Sequence, residues 1–148
     1  MNAFADFAYD KIKEVAGKNM DYISGFISAM ELKNIIQNGK QGEYLIIDLR
    51  EESEYDEFHI NGSVNMEYND FMNSKDYEEI LQEALNGKQI ILCCERGGSS
   101  IYASRRLASY IRNRQPEYKT IGKGMYDSEK IIIKSLSGGI YGFRTIYR

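Results

Sequence analysis

The sequence predicts a single α/β domain with a mainly parallel central sheet and helices on both faces. Two apolar segments of strand length support this prediction, "EYLIIDL" at residues 43–49 and "KQIILCC" at residues 88–94. Segments with helical spacing of apolar residues alternate with them along the chain. The 148 residues, 43% of them apolar, are enough to bury one core, and no repeat or low-complexity linker divides them.

The helical segments are identified by apolar residues that recur every three or four positions. Glycines are placed to end the first and the third of these segments. The single proline of the chain, Pro116, is placed to end the last one. The predicted helices are residues 28–39, an acidic helical turn at residues 50–58, residues 77–85, and a helix from about Ser100 to Arg114.

Two further strands are predicted beyond Pro116, at residues 117–122 and 130–136, joined by a polar segment at residues 123–129. The chain then closes with "SGGIYGFRTIYR", a glycine turn and a short aromatic-rich element. These elements complete the prediction of one sheet between two layers of helices.

The spacing of apolar residues predicts an additional amphipathic helix at residues 1–20, and residues 21–148 are expected to form the α/β domain. Two aspartates within the apolar part of this helix argue against a signal peptide. Two positions for the helix stay open, against the body of the domain or against a second subunit in a homodimer. Its apolar face consists of Phe4, Ala8, Ile12 and Val15.

Charge and hydropathy exclude two classes of partner. The net charge is −3 and no block of like charges occurs, so we expect no nucleic-acid partner. No apolar segment reaches the length that spans a membrane, and the polar face of the N-terminal helix is not basic. We therefore expect no membrane partner either.

The chain has two cysteines, Cys93 and Cys94, and they are adjacent. Adjacent cysteines cannot form an ordinary structural disulfide, and their spacing does not suit a zinc site. We therefore expect free thiols in a reducing, cytoplasmic compartment.

Cys94 is expected at the carboxyl end of the second apolar strand, where open parallel sheets place their sites. The N-terminus of the following helix presents unpaired N–H groups and a partial positive charge. Two glycines allow the connecting loop to curl so that its own N–H groups point inward and stabilise a thiolate or a bound anion. The predicted anion-binding residues are Glu95, Arg96, Gly97, Gly98, Ser99 and Ser100.

Strand alternation separates the roles of the two cysteines. Cys93 is expected to face away from the loop as a small buried hydrophobe, which leaves Cys94 as the candidate nucleophile. The alternative is that the loop only makes a tight strand-to-helix turn, with Ser99 or Ser100 as the N-cap.

Residues 45–65, "LIIDLREESEYDEFHINGSVN", resemble the rhodanese family, in which a strand ends in Asp-x-Arg and an acidic turn leads to Gly-His-Ile-Pro-Gly-Ala-x-Asn. The family's active loop, Cys-x-x-Gly-x-Arg-Ser, is similar to residues 94–100, and its last turn, Leu-x-Gly-Gly, is similar to "SGGI". The resemblance covers residues 22–147, and Ser99 stands where the family has arginine. The matching residues are Asp48, Arg50, Glu54, Tyr55, His59, Ile60, Gly62, Asn65, Cys94, Gly97 and Ser100.

The resemblance implies structural support of the site by residues of the first motif. Arg50 is expected to pair with an acidic neighbour such as Glu54 and, with Asp48, to lock the turn below the site. Substrate contact by Asp48 and Arg50 is the alternative. His59, the only histidine, belongs to the family's His-Ile-x-Gly turn, and a role as the base for Cys94 is its alternative.

The function that the resemblance implies is that of a single-domain sulfurtransferase. Cys94 would take sulfane sulfur from thiosulfate or a small persulfide, carry it as a persulfide, and pass it to a thiol or cyanide acceptor. A protein could also serve as the sulfur donor or acceptor. Arg96 is expected to supply positive charge within the loop. The implied reaction needs no metal and no organic cofactor.

Two alternative functions stay open. A phosphatase or arsenate reductase relative would need an arginine where this chain has Ser100. A non-catalytic binding or sensing module is favoured by Ser99 in place of the family's arginine.

Overall fold

The computed structural model describes residues 22–121 and 131–147. The predicted N-terminal helix at residues 1–20 and the polar segment at residues 123–129 lie outside the described residues.

The described residues form one sheet of five strands, and every pair of neighbouring strands is parallel. The strands are β1 Tyr22–Ile27, β2 Tyr44–Asp48, β3 Val64–Asn65, β4 Gln89–Cys93 and β5 Ile131–Leu136. Their order across the sheet is β1-β5-β4-β2-β3, so β4 lies at the centre with β2 and β5 as its neighbours. The carboxyl ends of these three strands therefore meet at one edge of the sheet.

The helices cover both faces of the sheet. They are α1 Ala29–Gln37, α2 Glu52–Glu57, α3 Tyr68–Asn73, α4 Glu78–Leu85, α5 Ser99–Ile121 and α6 Gly139–Tyr147, with a 3₁₀ turn at Gln41–Glu43. Buried side chains of α1 and α6 pack on one face, and those of α3, α4 and α5 pack on the other. The predicted α/β architecture is confirmed. In the part of the chain that the structure describes, no helix is long and apolar enough to cross a membrane.

The core arises from the two-residue alternation of the central strands. Ile90 and Leu92 of β4 face α3, α4 and α5, whereas Ile91 and Cys93 face α1 and α6. All four side chains are fully buried. Because β4 buries both of its faces, it reads in the sequence as a continuous apolar segment.

Helix α5 differs from its prediction. It continues through Pro116 to Ile121, so the helix end at this proline and the strand at residues 117–122 are both wrong. A proline removes one N–H donor from the helical ladder, but the remaining donors can still bond, and a proline inside a helix is tolerated at a cost. The strand predicted at residues 130–136 is confirmed as β5.

Two glycine turns interlock where β4 and β5 end. Gly97, with φ of +98°, lies so close to the turn after β5 that an added Cβ would be 3.1 Å from the nitrogen of Gly138. Gly139, with φ of +63°, lies against the loop after β4, and an added Cβ would be 2.5 Å from the carbonyl oxygen of Cys94 and closer still to that of Glu95. Only glycine satisfies both the close approach and the left-handed backbone at these positions.

The Gly139→Ala substitution should destabilise the fold by about 2 kcal/mol or more, because it combines a left-handed backbone with a clash against two carbonyl oxygens. Urea unfolding followed by circular dichroism measures the change. Gly142→Ala is the matched control, since an added Cβ meets nothing within 4 Å in the interior of α6. It should leave the stability unchanged or raise it by about 0.5–1 kcal/mol. Equal effects of the two substitutions would contradict the interlock.

Candidate active site

The sulfur of Cys94 lies directly after β4, in a cradle of backbone N–H groups. The N–H of Gly97 donates to Sγ at 3.1 Å, and the N–H of Ser100 donates to it at 3.3 Å. Ser100 lies in the first turn of α5, where backbone N–H groups have no partner within the helix and the helix dipole is positive. Cys94 is 6% exposed, so solvent screens these contacts little. The arrangement suits a negative charge on the sulfur.

Two buried hydroxyl groups lie next to these N–H groups, one near the sulfur and the other beside the first. The Oγ of Ser100 lies 3.5 Å from the sulfur of Cys94 and 2.5 Å from the Oγ of Ser135 on β5. Ser135 was not predicted as a site residue. The available signal was a serine inside the otherwise apolar strand "KIIIKSL", directly before the glycine turn.

Cys93 lies on the opposite side of β4 in the core formed with α1 and α6. Burial raises the pKa of its thiol well above the ordinary range, and the nearby charge of Asp48 raises it further. A neutral, fully buried thiol is a poor nucleophile, so the two adjacent cysteines occupy chemically different environments.

The outer residues of the loop are exposed to solvent. The guanidinium of Arg96 lies over the ring of Tyr141, 4.5 Å from its centroid, which is a cation–π distance. Ser99, at the position where arginine was expected from the family pattern, is exposed at the start of α5. Positive charge at the rim of the loop is therefore carried by Arg96, which the stacking contact with Tyr141 orients.

A buried ion pair lies at the end of β2, next to the loop. Arg50 donates from Nη2 and Nε to the carboxylate of Asp48, the Nη2 contact being 2.9 Å, and Asp48 is fully buried. Nη2 of Arg50 also donates to the carbonyl of Phe58, and the side-chain amide of Asn65 donates to the carbonyls of Asp48 and Arg50. These contacts join the turn after β2 to β3 and to the end of α2.

The electrostatics of Arg50 link this turn to the loop. Burial disfavours its charged form, but the hydrogen bonds and charge of Asp48 outweigh burial and raise its pKa, with smaller contributions from Glu95 and Glu54. Glu95 lies 3.8 Å from Nη1 of Arg50. The principal partner of Arg50 is therefore Asp48, and the expected partner Glu54 makes only a small contribution to its pKa.

His59 lies in the turn that follows α2 and is exposed. Its Nδ1 lies 2.8 Å from the carbonyl oxygen of Tyr55, and its ring stacks on that of Tyr55 with centroids 3.9 Å apart. The hydroxyl of Tyr55 donates to the carbonyl of Ser63. These contacts bind the turn together and use one ring nitrogen of His59 within it.

The order of the strands brings some of the predicted site residues together. The loop of residues 94–100 and the Asp48–Arg50 pair meet because β4 and β2 are neighbours, and Asp48 lies beside Cys93 in the parallel register. Among the described residues, no group of three or more histidine, cysteine, aspartate or glutamate side chains is placed to hold a metal ion.

A family model for the rhodanese-like domain matches residues 28–145, and the chain belongs to this family. The parallel sheet, the cysteine loop at the end of β4 and the glycine turn after β5 are the structural counterparts of the motifs described above. No curated protein matches the chain in sequence.

Solved structures share the fold at low sequence identity. A protein of unknown function from Rhodopseudomonas palustris, described as a possible tyrosine phosphatase, is 14% identical with a TM-score of 0.59, over 98% of this chain and 92% of that one. The human single-domain sulfurtransferase is 15% identical with a TM-score of 0.51, over 82% and 96%. A rhodanese-related protein from Thermoplasma volcanium is 19% identical with a TM-score of 0.51, over 83% and 94%. At these identities the likeness shows the fold.

Iodoacetamide should modify Cys94 alone in the native protein, because Cys93 is fully buried and its pKa is raised. Intact mass spectrometry should show one adduct on the native protein and two after unfolding in denaturant. The Cys94→Ser variant should acquire none in its native state. Modification of native Cys93 at a rate comparable to that of Cys94 would contradict the assigned environments.

Removing Asp48 should destabilise the fold strongly, because it leaves Arg50 buried without its carboxylate. We expect Asp48→Ala to lower the free energy of unfolding by about 3 kcal/mol or more, and the double variant Asp48→Ala/Arg50→Leu to recover part of that loss. Urea unfolding measures both.

The exposed pair of Glu83 and Lys88 is the control for this experiment, with a distance of 2.8 Å and both side chains well exposed. The Glu83→Ala substitution should change the stability by less than about 1 kcal/mol. A similar loss for Asp48→Ala and Glu83→Ala would show that the buried pair does not organise the turn.

Proposed function

We propose that this protein is a sulfurtransferase that carries sulfane sulfur as a persulfide on Cys94. The observation that carries the proposal is the cradle around the sulfur, in which N–H groups of Gly97 and Ser100 donate at 3.1 and 3.3 Å. Hydrogen bonds to the charged form of a group favour that form, and the thiolate is the nucleophilic form of cysteine. Membership of the rhodanese-like family supports the same chemistry.

The reaction divides into two displacements at sulfur. The Cys94 thiolate attacks the outer sulfur of thiosulfate, and a new bond forms between Sγ and that sulfur. The sulfur–sulfur bond of thiosulfate breaks, and its electron pair leaves with sulfite. The acceptor then attacks the outer sulfur of the persulfide, which gives thiocyanate from cyanide or a new persulfide from a thiolate. This second step restores the Cys94 thiolate, and the cycle needs no external oxidant or reductant.

The charges around the loop support the binding of an anionic donor. The helix N-terminus and the loop N–H groups favour a negative charge at the sulfur. Arg96, held over Tyr141, provides the guanidinium at the rim in place of the arginine that Ser99 replaces. Arg50 is committed to Asp48, with Glu95 nearby, so its role in the proposal is to hold the turn.

A phosphatase is the second candidate, and the fold that the chain shares with the Rhodopseudomonas palustris protein favours it. A cysteine phosphatase of this kind needs an arginine at the last position of the loop, whose guanidinium binds the phosphate. That position is Ser100, which is fully buried and hydrogen-bonded to Ser135. Because a serine has no guanidinium to bind the phosphate, sulfur transfer is the better-supported reaction.

Incubation of the purified protein with thiosulfate should add the mass of one sulfur atom, because the persulfide stays on the enzyme until an acceptor arrives. Cyanide should then remove the added mass and release thiocyanate. Intact mass spectrometry and a colorimetric thiocyanate assay measure the two steps. The Cys94→Ser variant should show neither of them.

Cys93→Ala is the matched control, since it removes the neighbouring buried thiol and leaves the loop intact. It should load sulfur as the wild type does. An adduct on Cys94→Ser would contradict the proposal. A wild type that does not load but turns over an aryl phosphate through Cys94 would favour the phosphatase, and one that does neither would favour a non-catalytic module.

A further inference from the structure

We propose that Ser135 is a positioning residue that turns the hydroxyl proton of Ser100 toward the sulfur of Cys94 and thereby stabilises the thiolate. Ser135 and Ser100 are 2% and 0% exposed, so water has little access to either hydroxyl. Their oxygen atoms lie 2.5 Å apart, at the short end of the range for hydrogen bonds between hydroxyl groups. The low dielectric constant of the protein interior strengthens such a bond.

The proton count decides the direction of the hydrogen bonds. The hydroxyl of Ser100 has one proton and three acceptors within reach, which are Sγ of Cys94 at 3.5 Å, the carbonyl of Gly97 at 3.4 Å and Oγ of Ser135 at 2.5 Å. If Ser100 donates to Ser135, no proton of that hydroxyl is left for the sulfur. If Ser135 donates to Ser100, the proton of Ser100 is available to the sulfur or to the carbonyl of Gly97, and a negatively charged sulfur is the stronger acceptor of the two.

Ionisation of Cys94 selects the second direction. A neutral thiol can donate its own proton to Oγ of Ser100, whereas a thiolate can only accept. With Ser135 donating to Ser100, the thiolate receives one hydroxyl donor in addition to the two N–H groups of Gly97 and Ser100. The two serines thus form a short chain of hydroxyls whose direction reverses when the thiol ionises.

Ser135 comes from β5, and the Cys94 loop follows β4. The two serines lie 35 positions apart in the chain, and they meet because β5 is the neighbour of β4 in the sheet. Ser135 lies two positions beyond Ile133, on the face of the sheet that α5 covers. A hydroxyl at this position therefore points at the first turn of α5, where Ser100 lies.

The Ser135→Ala substitution should raise the pH at which Cys94 ionises by about half a unit or more, because it removes the donor that orients and polarises Ser100. The rate of iodoacetamide alkylation of Cys94, followed by intact mass against pH, gives the midpoint. Ser63→Ala is the matched control. Ser63 is a buried serine in the turn before β3 whose hydroxyl donates to the carbonyl of Ile60 at 2.7 Å, and the midpoint of this variant should equal that of the wild type.

A double-variant cycle separates this role from a general structural one. Ser100→Ala should raise the midpoint at least as much as Ser135→Ala, and the double variant should equal Ser100→Ala alone, because Ser135 acts only through Ser100. An unchanged midpoint in Ser135→Ala would overturn the proposal. A shift of the same size in the presence and absence of Ser100 would also overturn it.

The other charged and titratable groups around the loop are retained in every variant, so they do not account for a difference between them. The two serines contribute to catalysis only if the proposed sulfur transfer takes place. The pH midpoint of Cys94 alkylation, however, is measured without any sulfur donor. Failure of one experiment therefore does not imply failure of the other. On the elements that carry or adjoin the loop, the retained groups are Cys93 on β4, Asp48 at the end of β2, Arg50 after it, Glu95 and Arg96 in the loop, Lys134 on β5, Tyr102 on α5 and Tyr141 on α6.

Discussion

The site depends on a set of backbone hydrogen bonds between the loop after β4 and the N-terminus of α6. The N–H groups of Ile140 and Tyr141 donate to the carbonyls of Cys94 and Glu95 at 2.8 and 3.0 Å. Because these carbonyls point toward α6, the N–H groups farther along the loop are free to turn toward the sulfur. The bonds also satisfy donors at the helix start that would otherwise lack partners. The close approach they require is possible only with a glycine at Gly139.

The charged residues around the site divide into a buried group that holds the backbone and an exposed group at the rim. The Asp48–Arg50 pair is buried, its carboxylate also accepts from the backbone N–H of Arg50, and its guanidinium also donates to the carbonyl of Phe58. The pair therefore acts on the shape of the turn below the site. Arg96 is exposed and contacts Tyr141, so it can meet a ligand that approaches from solvent. Under the proposed function, Arg96 would attract an anionic donor at the rim of the loop, where the exposed carboxylate of Glu95 opposes it.

The sequence predicted those structural features that depend on a pattern of residues repeated within one strand or one helix. The two-residue alternation of β4 separates Cys93 from Cys94, and apolar spacing predicts helices whose observed bounds are Ala29–Gln37 and Glu78–Leu85. Pro116 misled the prediction, because the effect of one proline depends on whether the helix around it is stabilised by other contacts. The first strand, Tyr22–Ile27, was also missed as a strand, since its composition includes serine and glycine that weaken the apolar pattern.

The sequence by itself determined the fold class, the family resemblance and the choice of Cys94 over Cys93 as the candidate nucleophile, because local spacing and motif order are properties of the chain. Only the tertiary structure decided which distant residues meet at the sulfur. Neither the pairing of Ser135 with Ser100 nor the contact of Gly139 with the loop follows from local spacing. Both depend on the strand order β1-β5-β4-β2-β3, which places β5 beside β4. That order joins strands that are far apart in the chain, so it is a property of the whole domain rather than of any one segment.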